Sequence, residues 1–125
     1  MKMNRIFIAC DNSNVDQIKK IIKHTKPYNL IPKFGLQFFY SKNGRKFLEN
    51  YKSEFMLDIK ASDIPQTISS ALYSIKDLKK IKYVTVMASV GLKGLKAFQK
   101  QALKINKSII AVSYTHLTLP TILRV

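Results

Sequence analysis

The sequence predicts an α/β fold in which parallel strands are covered by outer helices. Three observations predict it. Short apolar runs of strand length alternate with longer runs of helical periodicity, four times over, and a fifth strand follows. Capping or first-turn residues stand where helices should begin, as in Asn12-Ser13-Asn14 and Asp63-Ile64-Pro65. Charged residues sit at the ends of the apolar strands or just beyond them, as at Asp11, Asp58 and Lys60. Strands that alternate with helices form a parallel sheet with helices outside. Right-handed crossovers then leave two architectures, a doubly wound sheet or a barrel.

The elements follow in order. Ile6 to Cys10 reads as a buried strand. A helix over about 15–25 places Val15, Ile18, Ile21 and Ile22 on one face, and Pro27 ends it. Leu30 to Leu36 is the second strand. A helix around 41–52 carries Phe47, Leu48 and Tyr51, with Asn43-Gly44 weakening its first turn. Phe55 to Ile59 is the third strand, and Asp63 is placed to cap a helix over about 64–77, with Pro65 in its tolerant first turn. Tyr83 to Ala88 is the fourth strand. Leu92 to Ile105 is a helix with Leu92, Leu95, Phe98, Ala102 and Leu103 as its apolar stripe, and Ser108 to Val112 is the fifth strand.

A chain of 125 residues, 46% hydrophobic and 23% charged, has the size and composition of one globular domain. Apolar runs are too short for a membrane helix, which needs about 18 residues, and Ile6 to Cys10 is too short for a signal peptide. A single cysteine, Cys10, forms no internal disulfide, so a reducing, cytoplasmic setting is expected, with no membrane partner. Lys and Arg number 22 against seven acids, a net charge of +15. Only Arg5, Arg45 and Arg124 are arginines, and the lysines are spread along the chain rather than clustered with aromatics. That favours a lysine-rich solvated surface over a nucleic-acid reader, which leans on arginine forks. His24 reads as a helix-surface residue, and no cluster of metal-ligand residues appears. Gly91-Leu92-Lys93-Gly94 is too short for a phosphate loop and opens a helix.

The chemistry is concentrated in Phe55-Met56-Leu57-Asp58-Ile59-Lys60-Ala61-Ser62-Asp63-Ile64-Pro65-Gln66-Thr67. Strand alternation points Asp58 and Lys60 the same way, opposite Leu57 and Ile59. Such a pair is costly in a dry core but tolerable at the C-terminal mouth of a parallel barrel. Asp63 completes an Asp-x-Lys-x-x-Asp pattern, while Asp11 closes the first strand and Lys33 interrupts the second. Polar groups placed this regularly on three strands point to one shared site, against a set of unrelated structural ion pairs.

These residues resemble the orotidine 5'-phosphate decarboxylase family over positions 5–113. The most specific stretch is Asp58 to Thr67; Ala9-Cys10-Asp11 and Lys33-Phe34-Gly35 match the ends of the family's first two strands. Val84-Thr85-Val86-Met87-Ala88-Ser89 resembles its fourth strand, with Met87 where the family usually has His, and Val90-Gly91 stands for its glycine pair. The resemblance implies a homodimeric (β/α)8 TIM barrel without metal or organic cofactor, acting on orotidine 5'-phosphate to give UMP. It implies Lys60 as proton donor, Asp58 beside the departing carboxylate, Lys33 and Asp11 at the ribose hydroxyls, and Asp63 and Thr67 reaching the partner subunit's site.

A complete barrel of this type takes about 250 residues. The chain is therefore expected to be the N-terminal half of one, in residues 1–113, without the family's phosphate-gripping Gln and Gly-Arg pair and inactive alone. Residues 114–125, which include His116, hold no lysine, lack the pattern of a further βα unit and resemble translated adapter read-through. They are expected to be a non-native tail; the alternative is a genuine terminal strand with Pro120 at its edge. Two other functions remain. A metal-dependent sugar-phosphate decarboxylase or aldolase of the same suprafamily shares Asp-x-Lys-x-x-Asp but carries an acid where this chain has Lys33. A basic nucleic-acid-binding module would need a clustered face.

Overall fold

The structure is a computed structural model that describes residues 5–114, and residues 120–124 as backbone. Five strands, β1 (Phe7–Ala9), β2 (Ile31–Gly35), β3 (Phe55–Ala61), β4 (Ile81–Met87) and β5 (Ser108–Tyr114), run parallel and lie side by side in chain order. That order decides between the two architectures. A doubly wound sheet reverses its direction of growth partway and so carries helices on both faces. Here every right-handed crossover advances the same way, which keeps the helices on one face and leaves the other as the lining of a curled half-barrel.

The helices are α1 (Val15–Thr25), α2 (Leu36–Tyr40), α3 (Lys42–Asn50), α4 (Pro65–Tyr73) and α5 (Gly91–Lys104). Asn14 caps α1 as its composition suggests, its side-chain oxygen accepting the N–H groups of Asp16 and Gln17 at 2.9 and 3.4 Å. The main core lies between sheet and helices. Phe34, Leu57, Val84, Val86 and Ile109 point outward from the strands to meet Ile18, Leu48, Leu72 and Phe98. Phe34 anchors one end, with Phe38 stacked 5.3 Å away and Phe55 edge-on at 5.5 Å, and so ties β2 to both β3 and α2. A second, smaller cluster of Met56, Tyr83 and Ile110, joined by Phe7 and Ile31, lies apart from that core.

Several expectations are corrected. The stretch before position 41 is helical: α2 precedes α3, and Ser41 forms the corner, donating to the Phe38 carbonyl at 2.7 Å and accepting the Gly44 N–H at 3.0 Å. Gly44 is therefore required rather than a weakness. A Cβ there would collide with the backbone carbonyl of Phe38, which cannot move without unwinding α2. Helix α4 ends at Tyr73, and its N-cap is Ile64; Asp63 instead accepts the N–H of Ile64 at 2.7 Å. On α5, Leu92 and Leu103 are 68% and 69% exposed, so the buried stripe runs through Gly94, Phe98 and Ala102. Lys107, one of the lysines attributed to the surface, is 4% exposed. Its ammonium donates to the carbonyls of Leu78 and Ile81 at 2.8 and 3.0 Å, latching the start of β5 to the start of β4. Burial, with the charge of Lys82 adding, pushes its pKa down to about 8, and the neutral amine still has two N–H bonds for the two carbonyls.

Residues 120–124 form β6 (Pro120–Arg124), antiparallel to β5, with Tyr114 opposite Pro120. The edge of β5 is thus covered, and of the two outer parallel strands β1 alone lacks a second neighbour among the described residues. His116 lies outside the described residues. Among them no helix is long and apolar enough to cross a membrane.

Replacing Gly44 tests the helix corner. Alanine gains about 1 kcal/mol of helix propensity over glycine. The added methyl meets fixed backbone, and overpacking of that kind costs about 1–3 kcal/mol. The steric term is the larger, so Gly44→Ala should lower the urea unfolding midpoint, and a midpoint equal to or above that of the parent would show that the corner is not close-packed.

Candidate active site

Asp58, in β3, is the hub. Its carboxylate is 10% exposed and takes three side-chain contacts. Lys60 Nζ lies 2.8 Å from Oδ2, Lys33 Nζ lies 3.5 Å from the same oxygen, and Thr85 Oγ1 donates to Oδ1 at 2.8 Å. The three partners come from β3, β2 and β4. Register explains why they converge, because Gly35 pairs with Asp58, and Leu57 with Val84, the neighbour of Thr85. Two cations on one side and a hydroxyl on the other satisfy a carboxylate that would be costly to bury alone.

Asp58 and Lys60 meet as expected, but plain alternation is not the cause. Leu57 pairs with Val84 and Ala61 with Val86, so three residues of β3 stand opposite the single residue Thr85. This is a β-bulge, and bulges re-aim side chains. Lys60 sits within it at φ 46°, a left-handed conformation uncommon for a residue with a side chain. Its N–H donates to Thr85 Oγ1 at 2.9 Å. Thr85 is the site residue that sequence reasoning missed. Its signal was available: one hydroxyl in the middle of an apolar strand, at a position that proves 1% exposed.

The remaining candidates are placed differently. Asp11 is exposed just after β1, beside Gly35, and contributes to the field at Lys60. Asp63 and Thr67 are exposed, in the loop before α4 and in its first turn, and neither is hydrogen-bonded or ion-paired to the Asp58 cluster among the described residues. Met87 closes β4. Among the described residues no group of three or more His, Cys, Asp or Glu side chains could hold a metal ion.

Electrostatics follow the geometry. Burial pushes Asp58 up, but the hydrogen bonds from Lys60 and Thr85 and the charges of Lys60 and Lys33 outweigh it and hold the carboxyl below its ordinary value. Burial pulls Lys60 down, and its bond to Asp58, the charge of Asp58 and smaller effects from Tyr114 and Asp11 outweigh that and raise it. At neutral pH the site holds a fixed carboxylate and a fixed ammonium. Cys10, beside Asp11, is pushed up to about 11 by burial and by that acid's charge, so it remains a thiol rather than a nucleophile.

A family model described as "Orotidine 5'-phosphate decarboxylase / HUMPS family" matches residues 4–119. The chain is 29% identical over 123 residues to the orotidine 5'-phosphate decarboxylase of Malacoplasma penetrans, covering 94% of this chain and 52% of that one. It is 33% identical over 106 residues to that of Listeria monocytogenes serovar 1/2a, covering 82% and 44%. The crystal structure of orotidine 5'-monophosphate decarboxylase from Methanocaldococcus jannaschii, complexed with the inhibitor BMP, superposes with a TM-score of 0.74 at 29% identity, over 88% of this chain and 52% of that one. The chain thus spans about half the length of the curated relatives it matches.

The shifted groups set a pH dependence. Asp58, lowered below its ordinary 3.8, contributes stability that is present above that value and is lost as pH falls through the lower folded value. Lys60, raised above 10.5, contributes stability that is present below 10.5 and is lost as pH rises through the higher one. Asp58→Asn should therefore lower the thermal midpoint at neutral pH and flatten its fall on the acid side. An acid limb as steep as that of the parent would place the responsible carboxylate elsewhere.

Proposed function

The chain belongs to the orotidine 5'-phosphate decarboxylase / HUMPS family, and from that we propose that it carries the chemical half of an orotidine 5'-phosphate decarboxylase site. The observation that supports this most is the pair of ammonium groups, Lys60 and Lys33, on the one carboxylate of Asp58. In this reading the bond from C6 of the pyrimidine to its carboxylate breaks, CO2 leaves, and the electron pair stays on C6. The Asp58 carboxylate lies beside the departing one and repels it, while the fixed ammonium of Lys60 stabilises the carbanion as it forms. Lys60 then donates its proton to C6, giving UMP, and solvent reprotonates the amine. Asp58 has a second duty, since its charge keeps Lys60 protonated until that moment.

Lys33 and Asp11 bind the ribose hydroxyls in this proposal, and no organic cofactor or metal is needed for the step. An acid is expected at position 33 for a metal-dependent sugar-phosphate enzyme, and the ammonium of Lys33 against Asp58 favours the orotidine reading. Asp63 and Thr67, exposed and apart from the Asp58 cluster, reach into a second subunit's site across a homodimer. Binding of the remote phosphate supplies much of the driving force in such a scheme. The family's phosphate-gripping residues lie beyond the half that this chain spans, so the 125-residue chain by itself is expected to show no turnover.

Joining residues 1–113 to the second half of a relative's barrel gives the test. Decarboxylation of orotidine 5'-phosphate should appear, and Lys60→Ala should reduce it by several orders of magnitude, since donor and electrostatic stabiliser vanish together. A Lys60→Ala enzyme retaining more than about a tenth of the activity would reject the assignment. Subunit sharing has its own test. Mixing Asp63→Ala with Lys60→Ala subunits should restore activity, because a heterodimer then holds one intact site and one carrying both lesions. Absence of recovery after demonstrated subunit exchange would return Asp63 to its own subunit's site.

A further inference from the structure

Thr85 lies on β4, outside the signature stretch, and makes two hydrogen bonds to that stretch. Its hydroxyl has one proton and accepting lone pairs. The proton goes to Asp58 Oδ1 at 2.8 Å, and an accepting position takes the Lys60 N–H at 2.9 Å. Both bonds reach into the bulge of β3, where Lys60 holds its left-handed conformation. We infer that Thr85 is a positioning residue: its hydroxyl locks the Asp58 carboxylate and the Lys60 backbone together, so that the Lys60 ammonium is held at one fixed point over the barrel mouth. The inference deepens the decarboxylase reading and rests on it for its catalytic meaning.

The chemistry gives this role its weight. A proton donor must sit within hydrogen-bond reach of its target, and a lysine has four freely rotating carbons between backbone and charge. Pinning both the backbone N–H and the counter-ion removes much of that freedom. A carboxylate facing lysines alone would be free to turn either oxygen toward them. With Oδ1 occupied by Thr85, Oδ2 is left for Lys60 and Lys33. The groups that face Asp58 are thus Lys60 from β3, Lys33 from β2 and Thr85 from β4; Asp11 after β1 and Tyr114 at the end of β5 act on it through Lys60.

The test uses the 125-residue chain and needs no turnover. Amide hydrogen exchange at Lys60 and the titration of the Asp58 carboxyl are followed by NMR in the parent, Thr85→Ser, Thr85→Val and Thr85→Cys. Serine keeps the hydroxyl and should match the parent in both. Valine keeps the shape without the hydroxyl; it should speed exchange at Lys60 by about tenfold, the loss of one hydrogen bond, relative to neighbouring strand amides. It should also move the Asp58 titration upward. Cysteine, a poor donor of similar size, should follow valine and carries the comparison if valine does not fold. A uniform rise in exchange across β3 and β4 with an unmoved Asp58 titration would show Thr85 to be ordinary core and overturn the inference. A failure here leaves the decarboxylase reading standing, since that reading is decided by turnover in the restored barrel.

Discussion

The carboxylate of Asp58 is the constraint on which the rest of the site depends. It is largely removed from water, and such a charge persists only if its lone pairs are met by donors. Three strands meet that need, with an ammonium from β2, an ammonium from β3 and a hydroxyl from β4. The same contacts set the charge of Lys60, because the carboxylate that must be neutralised is also what keeps its ammonium protonated. Charge and backbone geometry are coupled in one cluster, since the bulge and the left-handed Lys60 lie where these contacts converge.

That cluster is held in place by a core to which it does not belong. Burial of apolar surface is concentrated between the sheet and its helices, where Phe34, Leu57, Val84 and Phe98 are fully enclosed. The polar groups occupy the other side of the same strands. Alternation along each strand makes the division possible, since neighbours such as Leu57 and Asp58 serve opposite faces. Phe34 illustrates the coupling. It follows Lys33 directly, so that one face of β2 packs Phe34 against Phe55 at the start of β3 while the other presents Lys33 to Asp58.

The places where local reading failed share a cause. Gly44 has a low helix propensity, but a close approach of backbone decides its role. The charge of Lys107 favours the surface, but the carbonyls of Leu78 and Ile81 at the entry to β4 reward its burial. Leu92 and Leu103 fit a helical stripe, yet the arc of α5 that meets the sheet excludes them. In each case a neighbour distant in sequence outweighed an intrinsic tendency.

The sequence by itself determined the alternation of strands and helices and a capping stretch at Asn12-Ser13-Asn14, because these rest on periodicity or on residues a few positions apart. It also marked Lys33 as a charge out of place in an apolar strand, and Asp63 and Thr67 as members of one signature. Only the tertiary structure decided that the sheet grows in one direction, since strand order is set by packing between elements that propensity does not see. It alone set Lys33 against the same oxygen of Asp58 as Lys60, left Asp63 and Thr67 without a bond to them among the described residues, and brought in Thr85, 27 positions from Asp58. The reason is physical. Hydrogen bonds between strands depend on register, and register is fixed by side chains packed on the far face of the sheet.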